Sequence, residues 1–201
     1  FYYPYPDYKF VTTIYSDQYL PKKGELSNNL RNFDRERVLL FDEKQVFDEI
    51  IDENEFPLFS NSYLLVVGGA PNVIYTKFSN DRVAKWAIRT SIVREMPGHV
   101  HVEKLPDTEA ACRHLLSTKQ ACEQLSARYE NTKIDINQCT VIGGDAKNGL
   151  SFEYCRGETL ENLLDECLVR TDVAGFKSLI QEYMHWVHYN EDTHAVSNFD
   201  F

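Results

Sequence analysis

The sequence predicts an α+β fold: a five-stranded antiparallel sheet with one long helix, followed by a hinge and further helices. Three observations predict it. Residues 73–105 hold three stretches with strand-like alternation, separated by the turn residues Ser79-Asn80-Asp81 and Pro97-Gly98. From Asp107 or Thr108 to about Tyr129 the period becomes helical, with Ala111, Leu115, Cys122, Leu125 and Tyr129 on one stripe. Then Leu150–Leu164, LSFEYCRGETLENLL, runs from a short apolar strand through Gly157 into an amphipathic helix.

The remaining elements follow in order. Tyr8–Tyr15 alternates well enough for a strand, and Asp17–Glu25, with Pro21 and Gly24, reads as a loop. Arg31–Val38 is a charged connector. Asp42–Asp52 has the spacing of a helix, with Val46, Phe47, Ile50 and Ile51 on one face and Asp42 placed to cap it, Gln45 returning the bond. Ser60–Val67 is expected as a buried strand, and Gly68–Asn72 as a break between domains. Beyond it come strands at Val73–Phe78, Val83–Val93, His99–Leu105, Asn137–Gly143 and Leu150–Cys155, and helices at Thr159–Leu168 and Val173–His188. The expected domains are residues 1–70, 71–155 and 156–201.

Composition narrows the function classes. A hydrophobic content of 43% and an aromatic content of 13% are those of a folded chain able to build a core. A net charge of −10 argues against a nucleic-acid partner, because binding a phosphate backbone needs the opposite sign. No apolar run approaches the roughly 18–20 residues of a membrane span, and FYYPYPDYKF has neither the basic head nor the apolar core of a signal peptide. Five widely spaced cysteines without a CxxC pair read as reduced thiols in a cytoplasmic protein. The chain opens without methionine and closes on HAVSNFDF, so an excerpt of a longer protein is expected.

The order strand-strand-strand-helix-strand-strand-hinge-helix, with IRTSIV, VEKLPDTEAACRHL and FEYCRGETLENLL, resembles the bacterial kinase-like (lipopolysaccharide-kinase-like) domains, and within them a protein-kinase-like small lobe and the start of a truncated helical large lobe. Upstream, YYPYPDYKFVTTIYSDQYLPKKGEL and FPLFSNSYLLVV resemble the closing part of a class I SAM-dependent methyltransferase, an α/β remnant before the sheet. Together the two segments resemble large bacterial transferases that modify cell-surface polysaccharide. The resemblance implies ATP with Mg in the intact kinase-like domain and S-adenosylmethionine upstream. It also implies a saccharide or lipid-linked glycan substrate, with neighbouring domains of the same chain as partners. Two alternatives stay open: a catalytically inert pseudokinase-like scaffold or interaction module, and a methyltransferase as the main activity.

Phosphoryl transfer needs positive charge on the phosphates, a carboxylate-held metal and a base near the acceptor. Lys104 stands on the third strand of the kinase-like segment, where a lysine would approach α/β-phosphates, with Glu123 of the following helix as its steadying carboxylate and Glu109 as the competing one. Glu153, Tyr154 and Cys155 would offer backbone groups to an adenine edge. The turn Ser79–Arg82 has no glycine, so it lacks the backbone freedom of a phosphate-covering loop. No His-Gly-Asp-like or usable Asp-Phe-Gly-like segment follows the hinge, and no catalytic residue is assigned; alone, the chain is expected not to transfer phosphate. The upstream segment shows no GxG turn followed by a helix for a SAM site. His99 with His101, and His185 with His188, are each spaced to offer two metal ligands, but neither pair has a third at metal spacing in the sequence, so no metal is assigned.

Overall fold

In the computed structural model, which describes residues 1–26, 42–69, 72–79, 83–96, 98–143 and 148–194, seven strands pair into one antiparallel sheet. They are β1 (Tyr2–Tyr5), β2 (Thr13–Ser16), β3 (Val73–Phe78), β4 (Ile88–Met96), β5 (His99–Pro106), β6 (Cys139–Ile142) and β7 (Gly149–Glu153), in the order β1-β2-β3-β4-β5-β7-β6. The α-helices are α1 (Glu43–Asp52), α2 (Phe56–Phe59), α3 (Glu109–Arg128), α4 (Leu160–Val169) and α5 (Val173–His194). Two units separate along the chain, Phe1–Tyr154 with the whole sheet and Cys155–Phe201 with α4 and α5.

The expected fold class is therefore corrected. The sheet has seven strands instead of five, the described residues hold five α-helices, of which α2 was not expected, and β1 and β2 join this one sheet instead of a separate α/β methyltransferase remnant. The cause lies in the first sixteen residues. β1 pairs with β2, and β2 pairs with β3 through Thr13↔Lys77 and Ile14↔Thr76, so strands from before and after Gly68–Asn72 belong to one sheet. Strands of only four residues, YYPY and TIYS, carry too little alternation to announce their partners. The expected strand at Tyr8–Tyr15 begins late because Asp7 folds the chain back: its Oδ1 accepts from the Lys9 and Phe10 amides at 2.7 and 3.0 Å.

Two further expectations fail locally. Ser60–Val67 is not a buried strand: Leu64 makes an isolated bridge to Tyr2, and Tyr63–Val67 is exposed. The segment from Val83 begins with a single 3-10 turn at Ala84–Trp86, and β4 starts only at Ile88. The expected connector Arg31–Val38 and most of the turn Ser79–Arg82 lie outside the described residues.

One row of directly opposed residues crosses the sheet and explains where the core sits. Tyr3 faces Tyr15, whose ring lies 5.6 Å from that of Tyr75. Tyr75 then faces Ile92, Ile92 faces Val102, Val102 faces Phe152 and Phe152 faces Cys139. Because neighbours in register share a face, the helices pack on this side. Phe56 of α2 joins Tyr3, Tyr15 and Leu26, with Phe47, Ile50 and Ile51 of α1 against them. Ala111 and Leu115 of α3 join Ile88 and Leu150. Side chains such as Leu115 and Leu150, essentially removed from water, each contribute about 1.5–3 kcal/mol by burial.

Capping fixes the helix starts. Asp42 Oδ1 accepts from the Lys44 and Gln45 amides at α1, while the Gln45 side chain turns to Glu49 and does not close the reciprocal bond. Thr108 Oγ1 accepts from the Ala111 amide at 3.1 Å, choosing Thr108 over Asp107 as the cap of α3. In the second unit Thr159 caps α4 through the Asn162 amide at 3.2 Å, and Asp172 accepts from the Gly175 amide at 2.9 Å at the start of α5.

Candidate functional site

Lys104 sits in the middle of the sheet. In β5 it is opposite Thr90 of β4 and Leu150 of β7, on the side that carries α3. Its Nζ lies 5.4 Å from the centroid of the Phe152 ring, a cation held over an aromatic face. The carboxylates expected to steady it are engaged elsewhere. Glu123 is exposed on α3 and paired one turn back with Lys119, and Glu109 is paired with Arg113 at 2.6 Å. Both are i,i+4 pairs along α3, the nearest partners a helix surface offers. Lys104 and Glu123 are not brought together among the described residues.

The hinge residues diverge as well. Glu153 ends β7 opposite His101, so its side chain leaves the face of the sheet opposite to Lys104. Its backbone carbonyl already accepts from Asn137 Nδ2 at 2.9 Å, which occupies one lone pair of the group expected to meet an adenine edge. The Tyr154 hydroxyl lies near that of Tyr19 and helps to raise the Tyr19 phenol. Cys155 is an exposed free thiol at the first position of the second unit. The five residues singled out in the sequence thus fall on two faces of the sheet, the outer surface of α3 and the chain just beyond β7.

One constellation went unread in the sequence, and a second was read only as its histidine pair. The first is a tyrosine cluster around Glu25, whose Oε2 accepts from the Lys22 amide at 3.0 Å and lies 3.5 Å from the Tyr15 hydroxyl. Tyr19 and Tyr75 pack their rings 4.8 Å apart beside it. Burial, then the Glu25 charge, pushes the Tyr75 phenol up to about 12. Tyr15 is raised further for the same reasons, and Tyr19 is raised by burial and by the neighbouring Tyr154 hydroxyl. Such phenols stay protonated and act as hydrogen-bond donors across the physiological range. Tyr15 and Tyr19 lie four residues apart in a stretch read partly as loop, and Tyr75 stands far along the chain, so no local pattern announced this cluster.

The second lies on the other face, at the β4–β5 turn. His99 and His101 point the same way with rings 5.6 Å apart, and one ring nitrogen of each lies within 4.8 Å of a Glu95 carboxylate oxygen. Val93 faces His101 and Met96 faces His99, with a register shift between Arg94 and Met96 that leaves Glu95 as the additional residue of a bulge. Bulges re-aim side chains, and this one sets Glu95 beside the histidines. The signal was the hairpin turn itself: a strand pair closing at Gly98, with φ 94°, brings residues three before and one after it side by side.

No protein-family model, no curated protein and no solved structure matches the chain. Among the described residues no helix is long and apolar enough to cross a membrane.

Proposed function

We propose that this chain is a kinase-like module of a multidomain bacterial transferase acting on cell-surface polysaccharide, and that it serves there as an interaction module without completing phosphoryl transfer itself. One observation carries the choice between active and inert readings: Lys104 rests over Phe152 while Glu123 pairs with Lys119. A phosphate-gripping lysine needs its carboxylate partner, and that ion pair is not made. The element order from β3 to β7, three strands, the long helix α3 and two strands, supports the kinase-like part of the reading.

The interaction role is supported by the apolar surface at the β1 edge of the sheet. Leu58, Phe59 and Tyr63–Val67 are exposed there, a run of large side chains of the kind that neighbouring domains cover. In this reading the module works in the cytoplasm, its partners are adjacent domains of the same protein, and the saccharide or lipid-linked glycan is handled by them. Neither ATP nor S-adenosylmethionine is required of this chain.

Thermal denaturation with and without Mg-ATP tests the reading. The expected result is no Mg-ATP-dependent shift in either the wild type or Lys104→Ala. A saturable stabilisation by Mg-ATP that disappears in Lys104→Ala would replace the inert reading with the phosphotransferase one.

A further inference from the structure

We propose that the β4–β5 hairpin is a binding site for one divalent transition metal of the zinc class, ligated by Glu95, His99 and His101. The three ligand atoms already lie within 4.8 Å of one another, on a rigid pair of strands and not on a loop. The proximity of three such groups is not the main point; the state of His101 is.

His101 is 7% exposed, in the middle of the sheet. Its Nε2 lies 3.2 Å from Oε1 of Glu103, two residues on and on the same face. A carboxylate accepts hydrogen bonds, so Glu103 holds the proton on Nε2 and leaves Nδ1 as the atom with a free lone pair. That Nδ1 is buried and has no hydrogen-bond partner. A buried acceptor left without a donor is costly, and native structures rarely keep one without reason. A metal ion supplies the missing partner. With Nε2 held by the Glu103 carboxylate and Nδ1 given to an ion, His101 would be oriented and made more basic in the way usual for ligating histidines.

The donor set selects the class of ion. Two imidazoles and one carboxylate suit zinc, nickel, cobalt or copper, whereas calcium and magnesium favour all-oxygen sites. Three protein ligands leave a tetrahedral ion one position open to water or to an exogenous donor. Glu153, opposite His101 on β7, adds negative charge on the same face, which favours a cation there.

The experiment is a Zn2+ titration of the 201-residue chain against a chromophoric chelator, paired with Co2+ loading followed by visible absorption. The expected result is one Zn2+ per chain and a Co2+ spectrum of nitrogen and oxygen ligation. His99→Gln and Glu95→Gln, both at exposed positions, should each weaken Zn2+ binding at least about tenfold, and Glu103→Gln about 10–100-fold through His101. The pair His185→Gln and His188→Gln should leave the affinity unchanged. Because a change at His101 itself risks the fold, the exposed variants carry the test. Absence of stoichiometric binding overturns the site, as does an affinity indifferent to both His99→Gln and Glu95→Gln. A Co2+ spectrum dominated by thiolate charge transfer, placing the ion on cysteines, also overturns it.

Discussion

Gly149→Ala probes the closest backbone approach in the sheet. Gly149 opens β7, buried, just before the residue that faces Lys104. A Cβ added there would stand 2.6 Å from Leu105 Cδ2 and 2.7 Å from the Lys104 carbonyl oxygen. The leucine methyl can rotate away, but the carbonyl belongs to β5 and moves only with the strand. Overpacking of this kind costs about 1–3 kcal/mol. A smaller term opposes it, since alanine reduces the freedom of the unfolded chain by about 0.4–1 kcal/mol relative to glycine. The net expectation is a destabilisation of about 1–2 kcal/mol, which lowers the melting temperature of a chain this size by about 2–8 °C. Gly157→Ala is the internal control: nothing lies within 4 Å of the added carbon, and its backbone is not in the left-handed region. Paired thermal and urea melts by circular dichroism read both. If Gly149→Ala melts at or above the wild type, β5 and β7 are not packed as described, and the placement of Lys104 fails with them.

The remaining expectations concern the caps, the core and the tyrosines. Thr108→Ala should lose about 1 kcal/mol in urea denaturation through loss of the α3 cap, and Thr108→Ser should recover most of it. Leu115→Ala, at a position 2% exposed, should cost about 2–5 kcal/mol in the same assay, and a loss below 1 would mean that α3 does not pack on the sheet. For the tyrosine cluster, a folded-state pKa raised from 10.0 to about 12 means that the native protein keeps protons that the unfolded chain releases between those values. Stability should therefore be intact below pH 10 and fall as pH rises from there through about 12, with tyrosinate absorbance appearing in step with unfolding. Ionisation of every tyrosine near 10 without unfolding would contradict the buried cluster.

Much of the chain beyond Val73 was legible because its local signals are long and agree with one another. α3 runs twenty residues with a threonine cap, and β5 and β7 lie within one or two residues of where alternation puts them. The first seventy residues were legible only where a helix carried its own cap, as at Asp42. β1 and β2 take their place from partners far along the chain, and β2–β3 register is information that no local window holds. The apolar run SYLLVV misled for a related reason: hydrophobicity marks a preference for burial, but at this sheet edge only Leu64 finds a backbone partner. At the candidate site, Lys104 lies on the face of β5 that carries α3, but its expected pairing with Glu123 is not made, because helix periodicity cannot tell which of Lys119 and Lys104 the carboxylate reaches. Glu95 was missed because its position beside His99 and His101 depends on a bulge.

The central claim, that Lys104 and Glu123 do not act as a pair, is open to a double-mutant cycle with Lys104→Met, Glu123→Gln and the double variant, each melted in urea. Residues in contact couple by about 0.5–3 kcal/mol, and independent ones add to within about 0.5. The structure predicts additivity for Lys104 and Glu123, whose described partners are Phe152 and Lys119 respectively. A coupling above about 1 kcal/mol would mean that the ion pair forms in solution, and would remove the observation on which the choice of the inert reading over the phosphotransferase one was based.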